Sequence, residues 1–223
     1  TLLNSDTTVS KDNLCAIKRL NKKGVKIIVL TGRTFYEIPP EIRSCGDVEY
    51  FVYSNGAGIQ SSKKGIVYYN PFDRKTACEI YEILDSFDTL IELYSNQFPY
   101  IDKEDYTDDS FEYYKIDDSF LPEMKKSRKP IKNLKGLLTD GSYKIEMFDV
   151  FFRNDNEKEA CRQLLLGKFE GIEITSSLTS NLEIIKKGTN KGFGLKKLCE
   201  ITGYDLDNII VVGDSKNDIS AFN

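Results

Sequence analysis

Two carboxylates stand four residues apart near the end of the chain, in Asn208-Ile209-Ile210-Val211-Val212-Gly213-Asp214-Ser215-Lys216-Asn217-Asp218. The four β-branched residues before Gly213 read as a strand buried on both faces, the kind found in parallel sheets covered by helices. In open α/β sheets ligands sit just beyond the carboxyl ends of the strands. That is where Gly213 turns the chain into Asp214. The sequence contains no His, so hard oxygen ligands for Mg2+ are the natural chemistry of Asp214 and Asp218. The same spacing also suits a plain strand-to-helix turn with Asp218 as the cap.

Two further groups occupy comparable places. Thr31 follows the apolar run Val25–Leu30, and Lys191 opens a helical stretch that leads into the second run. A hydroxyl, an ammonium and a metal-binding carboxylate are what phosphoryl transfer requires. Thr31 and the Gly32 backbone N–H can hold phosphate oxygens, while Lys191 and a Mg2+ ion on Asp214 can neutralise charge on the transferred group. Taken singly, a Thr at a strand end is a turn residue and a Lys at a helix start is a solvated one.

The elements that must position these groups follow from the hydrophobic pattern. Ser10 caps a helix over Lys11–Lys23, with Leu14, Ile17 and Leu20 on one face and Gly24 as its stop. Val25–Leu30 is predicted as a buried strand. Phe35–Ser44 is predicted helical, broken into short pieces by Pro39 and Pro40. Tyr50–Tyr53 reads as a strand closed by Ser54-Asn55-Gly56, and residues 57–69 as a hairpin. The texture changes at Asn70-Pro71. Helices are predicted over 73–86 and 156–166. Strands are predicted over 89–95, 99–101, 136–139, 143–152, 172–176 and 182–185, with Asp140-Gly141 as a hairpin turn. The segment 104–119 reads as an acidic, aromatic helix and loop, and 125–135 as a basic link. After Lys187 the α/β pattern returns, with a helix over 191–202 and the closing strand. The fold class is therefore α/β: a doubly wound, Rossmann-like core over 1–71 and 184–223, interrupted by an α+β block over 72–183.

Composition removes several classes of function. The 223 residues carry a net charge of −4, which gives no reason to expect nucleic acid or a membrane surface as partner. No apolar run approaches a membrane span. Five scattered cysteines without a CxxC pair fit a reduced, cytoplasmic setting. Without His, Ser-His-Asp catalysis and His-type zinc sites are excluded within the chain, and acid–base work falls to Asp, Glu, Lys or Tyr. No feature of the sequence speaks to oligomeric state.

Four short motifs then occur in order: Thr31-Gly32-Arg33 after an apolar run, Ser54-Asn55-Gly56-Ala57, Asn190-Lys191-Gly192 opening a helix, and Gly213-Asp214-Ser215-Lys216-Asn217-Asp218. Together they resemble the haloacid dehalogenase superfamily, and within it the Cof-type phosphatases. The resemblance covers essentially the whole chain, with a cap-sized insertion between the second and third motifs. It implies that Thr31 hydrogen-bonds the transferring phosphoryl group and that Lys191 binds the phosphate and the nucleophilic carboxylate. Asp214 would bind Mg2+, with Asp218 as a supporting carboxylate beside it or through water. Asn217 would contact substrate or phosphate, and Asn55, Gly32 and Arg33 would line the site. The block 72–183 would be a cap that closes over the site and selects the leaving group of a small phosphorylated metabolite, such as a sugar phosphate or a phosphorylated cofactor.

Thr1-Leu2-Leu3 is similar to the tail of that family's first motif, Asp-x-Asp-Gly-Thr-Leu-Leu. The family's nucleophile and general acid are therefore expected ahead of Thr1, and both ends of the chain read as cut. Asp6 reads as a loop residue and takes neither role. Two rival readings are a phosphomutase of the same superfamily and, if the upstream aspartates are absent, a non-catalytic protein that holds phosphate or metal.

Overall fold

The structure, a computed structural model, describes residues 2–4 and 8–222. Asp6 lies outside them. The chain divides into two compact units: Thr1–Tyr69 with Thr189–Asn223, and Asn70–Gly188.

Unit 1 begins with α1 (Lys11–Lys22). The Ser10 hydroxyl caps it by accepting the Asn13 N–H at 3.0 Å, and Gly24 leaves it at φ +83°, a conformation that favours glycine. Next come β1 (Ile27–Leu30), α2 (Pro40–Arg43), β2 (Val48–Tyr53), β3 (Gly58–Ser61) and β4 (Gly65–Tyr69). The sheet order is β1-β2-β3-β4. The β1–β2 pair is parallel, and β3 and β4 add antiparallel strands. Strand alternation sends Val29 and Phe51 to one face, against Ile17 of α1 and Ile42 of α2, and Val48 joins them across the register shift at the start of the β1–β2 ladder. Ile28, Leu30, Val52 and Ile59 point to the other face, against Leu198 of a later helix. The sheet is thus covered on both faces, which is the α/β arrangement.

Two expectations for this unit are corrected. Residues 209–212 form no strand, and their side chains are not buried: Ile210 is 91% exposed and Val212 74%. An apolar, β-branched run becomes a strand only when another strand supplies its backbone hydrogen bonds, and none of the described residues pairs with this one. The strand after α1 is β1, four residues long and half-buried throughout, not a strand buried on both faces. Phe35–Ser44 does break into pieces, a 3-10 turn over Phe35–Glu37 and α2, at the two prolines.

Unit 2 comprises α3 (Arg74–Leu84), β5 (Thr89–Ser95), β6 (Phe98–Asp102), α4 (Asp108–Tyr113), α5 (Leu121–Ser127), β7 (Lys129–Ile131), α6 (Leu134–Thr139), β8 (Ile145–Phe152), α7 (Asp155–Lys168), β9 (Ile172–Thr175) and β10 (Asn181–Lys186). Its six strands run in the order β7-β6-β5-β8-β10-β9. One face packs Leu93, Phe148, Val150 and Ile184 against α3, α6 and α7. The other packs Leu90, Ile101 and Phe151 against Phe111 of α4 and Met124 of α5. The expected strand over 136–139 is the end of helix α6, started by Asn133, whose side chain accepts the Gly136 N–H at 2.9 Å. The expected link over 125–135 holds the end of α5 and the edge strand β7. Lys186 ends β10, so the second boundary between the units falls past residue 183. Among the described residues, no helix is long and apolar enough to cross a membrane.

Unit 1 closes with α8 (Lys191–Thr202) and a short final helix, α9 (Ile219–Phe222).

Candidate functional site

The loops that leave β1 and β2 are stitched together by their backbones. The Thr31 N–H donates to the Val52 carbonyl at 2.9 Å, and the Thr31 carbonyl accepts the Asn55 N–H at 3.1 Å. The Ser54 N–H donates to the Arg33 carbonyl at 2.8 Å. The Thr31 hydroxyl accepts the Arg33 N–H at 3.1 Å, which leaves its O–H proton for a ligand. Ser54 and Asn55 are both buried and both left-handed, at φ 48° and 51°. Such conformations cost free energy outside glycine and cluster at functional sites. Gly56 follows at φ +94°, and a Cβ there would stand 2.5 Å from the Asn190 carbonyl oxygen. Its bare backbone lets the start of α8 rest directly on this turn.

Asn190 caps α8 by accepting the Phe193 N–H at 2.9 Å. Lys191, the first helical residue, is only 6% exposed. Its Nζ donates to Asp218 Oδ1 at 2.6 Å and to Asn217 Oδ1 at 2.9 Å, which leaves one of its three ammonium protons. The Asn217 Nδ2 donates in turn to Asn55 Oδ1 at 3.3 Å. Asp218 Oδ2 accepts the backbone N–H groups of Asp214 and Ser215, at 2.9 and 2.8 Å. Gly213 makes room for this, because a Cβ there would lie 2.5 Å from the Asp218 carboxyl carbon. Burial pushes the Asp218 carboxyl up, but the Lys191 hydrogen bond, the Ser215 N–H, the Lys191 charge and the Asp214 N–H together hold it below the ordinary carboxylate range.

Four stretches remote in sequence therefore meet: 31–33, 54–56, 190–191 and 213–218. Gly32 belongs to the same cluster, since a Cβ on it would sit 3.0 Å from Asn55 Oδ1 and 3.3 Å from Asn217 Nδ2. Thr31 and Arg33 join through their backbones. Asp214 joins through its N–H while its side chain is exposed. Asp218 closes the turn after Gly213 and meets Lys191. Sequence reasoning passed over two contributors. Ser220 receives the Gly192 N–H on its hydroxyl at 3.1 Å. Glu37 receives the Thr34 N–H at 2.8 Å, and the Thr-x-x-Glu spacing of a capping box was its available signal.

The donor set bears on a metal. Mg2+ keeps several waters and is bound through one or two carboxylates together with substrate phosphate oxygens. Asp214 fits the carboxylate of such a set: it is exposed, at the rim of the cluster, and carried on the short turn that Asp218 holds. Both oxygens of Asp218 already accept protein donors. Among the described residues no group of three or more His, Cys, Asp or Glu is placed to hold a metal by itself, so waters and a phosphate would have to complete the shell.

The family model described as haloacid dehalogenase-like hydrolase matches residues 1–223. The chain is similar to phosphatase YwpJ of Bacillus subtilis, 23% identical over 99% of this chain and 82% of that protein. It is similar as well to the 5-amino-6-(5-phospho-D-ribitylamino)uracil phosphatase YwtE of the same organism, 26% identical over 100% of this chain and 81% of the relative. A solved haloacid dehalogenase-like hydrolase from B. subtilis shares the fold with a TM-score of 0.85, at 21% identity, covering 100% of this chain and 82% of the other.

Proposed function

From the premise that the chain belongs to the haloacid dehalogenase-like hydrolases, we propose that it is a Mg2+-dependent phosphatase of small phosphorylated metabolites. The observation that carries this reading is the buried Lys191 ammonium, held by Asp218 and Asn217 and linked through Asn55 to the Gly32 loop. That arrangement puts a fixed positive charge, an available hydroxyl and a backbone turn at one place, as stabilisation of a transferring phosphoryl group requires.

In this reading the Thr31 hydroxyl and Gly32 N–H hold the phosphoryl oxygens, and Lys191 offsets their charge. Asn217 and Asn55 set the amide edge beside them, and Arg33 lines the same loop. Asp214 holds Mg2+, which when bound polarises the phosphoryl group and draws charge from it. Asp218 orients Lys191 and fixes the backbone that carries Asp214. Attack on phosphorus to form an aspartyl-phosphate, and protonation of the leaving oxygen, belong in the family resemblance to carboxylates ahead of Thr1. Unit 2 is the cap that selects the leaving group. A relative that dephosphorylates a phosphoribityl compound supports substrates of sugar-phosphate or phosphorylated-cofactor type. The five cysteines are free thiols, which fits a cytoplasmic enzyme.

The test is release of inorganic phosphate from a panel of sugar phosphates and phosphoribityl compounds, with and without Mg2+, by protein expressed from the complete gene. Mg2+-dependent release that Asp214→Asn abolishes, with the thermal melt unchanged, is expected. Activity of Asp214→Asn near that of the wild type at limiting Mg2+ would remove Asp214 from the metal. Transfer of the phosphoryl group to a second hydroxyl, without free phosphate, would make the protein a mutase instead.

A further inference from the structure

Lys191 reaches its two partners across a long stretch of chain: Asn217 lies 26 residues on and Asp218 lies 27. A lysine ammonium rides on a flexible four-carbon stem. Its hydrogen bonds, 2.9 Å to Asn217 and 2.6 Å to Asp218, therefore do not by themselves fix where the backbone of α8 stands. The start of α8 has to be held against the 217–218 turn by something stiffer than that stem. Ser220, in the short helix α9 that follows Asp218, is placed to do this.

The first four N–H groups of an α-helix have no acceptor within the helix. In α8 the Asn190 side chain takes the Phe193 N–H at 2.9 Å, and the Ser220 hydroxyl takes the Gly192 N–H at 3.1 Å. The same hydroxyl donates to the Asn217 carbonyl at 3.4 Å. One oxygen thus joins the residue after Lys191 to the backbone of a Lys191 partner. The main chains are close as well, since a Cβ on Gly192 would stand 1.9 Å from the Ser220 carbonyl oxygen and 3.3 Å from the Ala221 nitrogen. Two residues on, a Cβ on Gly194 would stand 2.6 Å from Val52 Cγ1 and 2.9 Å from the Gly56 Cα. The first turn of α8 is therefore wedged between α9 and the 54–56 turn, with Lys191 leaving from it. Where that turn stands decides where the remaining ammonium proton points, and misplacing a group by about 1 Å can cost about 10²-fold in rate.

We propose that Ser220 is a positioning residue of the phosphoryl-binding cluster: by joining the start of α8 to the 217–218 turn, its hydroxyl fixes the Lys191 ammonium for the transferred group. The inference rests on the phosphatase reading of unit 1. Ser220 acts through the Gly192 N–H and the Asn217 carbonyl and is not a catalytic residue. The division of labour within the turn follows. Asp218 holds the backbone that carries Asp214, and Ser220 holds that same turn to the helix of Lys191. Without the Ser220 hydroxyl the Gly192 N–H turns to water, the first turn of α8 is free to shift against α9, and the third ammonium proton loses its fixed direction.

The test compares Ser220→Ala and Ser220→Thr with the wild type, in protein expressed from the complete gene. One readout is the NMR signal of the Lys191 ammonium, identified as the signal that Lys191→Ala removes. The other is steady-state release of phosphate from p-nitrophenyl phosphate with Mg2+. In Ser220→Ala the ammonium signal is expected to shift and broaden. Its kcat should fall about tenfold, with KM changed less than about twofold, the pattern of an interaction made in the transition state. Ser220→Thr keeps the hydroxyl and should recover both readouts. Gly192→Ala, which drives α8 from α9 without touching the hydroxyl, should move both in the same direction as Ser220→Ala. A lowered thermal melt with wild-type kcat and ammonium signal in Ser220→Ala would mean a merely structural serine and overturn the proposal. So would a loss of kcat with the ammonium signal unchanged. A wild type that releases no phosphate would remove the phosphatase reading instead, and the ammonium signal alone would then decide whether Ser220 positions Lys191.

Discussion

In unit 1 the buried ammonium of Lys191 meets one carboxylate, Asp218, and one amide, Asn217. In unit 2 the buried guanidinium of Arg128 meets Glu92, while Asp149 and Glu183 stand on the next two strands. The first cluster is built from loops beyond strand ends, with its outermost carboxylate, Asp214, in water. The second is built from strand centres, where alternation puts every side chain of a row on the same dry face. Loops can bring one cation to one anion and leave a second carboxylate at the rim. A sheet register brings whatever residues share a row, and here it brings acids. The difference is between charge gathered on loops at the edge of a sheet and charge buried within one.

The largest expected effect breaks the first cluster. Lys191→Ala should lower phosphate release about 10²- to 10³-fold, as removal of a stabilising donor does. It should also cost about 3–5 kcal/mol of stability, because it strands Asp218 in a buried site. The double variant Lys191→Met with Asp218→Asn should regain much of that stability and none of the turnover. Urea titrations beside phosphate assays separate the two losses. Turnover that returned with stability would mean Lys191 acts only through the fold.

Arg128→Met comes next and probes the second cluster. It leaves Glu92 buried among other acids, so unit 2 should lose about 3–5 kcal/mol. Urea unfolding followed by circular dichroism measures this, and an unchanged midpoint would show that Arg128 is not the counter-charge of Glu92. A smaller effect is expected from Gly56→Ala. The added methyl meets the Asn190 carbonyl at 2.5 Å on a backbone at φ +94°, for about 1–3 kcal/mol of strain. Because it moves the start of α8, turnover should fall with stability, and an active, equally stable variant would contradict the close approach.

The smallest pair sharpens the contrast. Asn190 caps α8 in unit 1 and Asn154 caps α7 in unit 2, each accepting an N–H at 2.9 Å. Replacing either by Ala should cost about 1 kcal/mol, read from thermal melts. Only Asn190→Ala should also reduce turnover, since Lys191 is the next residue. Equal kinetic effects from both would detach the helix start from the chemistry.

The candidate site was legible in the sequence to the extent that its signals are local. Gly213-Asp214, Asn190-Lys191-Gly192 and Thr31-Gly32-Arg33 each sit where a chain leaves or enters an element, and each names its residue without reference to any other segment. The convergence of these pieces was not readable from spacing. It depends on Gly56 accepting the Asn190 carbonyl at contact distance and on Asn55 adopting a left-handed backbone. The sequence suited Asp218 to a metal site first and to a turn second, and its two engaged oxygens are a property of packing.

The same division runs through the fold. Caps such as Ser10, the stop at Gly24 and the breaks at Pro39 and Pro40 were determined by the sequence alone, because each acts within a few residues of itself. So was the change of texture at Asn70-Pro71. What only the tertiary structure decided is pairing. Residues 209–212 have the composition of a buried strand, yet strand character belongs to a pair, and no described strand forms a ladder with them. Residues 136–139 became helix because Asn133 capped them, a signal that outweighs four residues of apolar pattern. Glu92, Asp149 and Glu183 illustrate the limit most clearly. Alternation assigns each of them a face, but period two says nothing about register, so only the folded sheet could set three acids from three distant strands in one row.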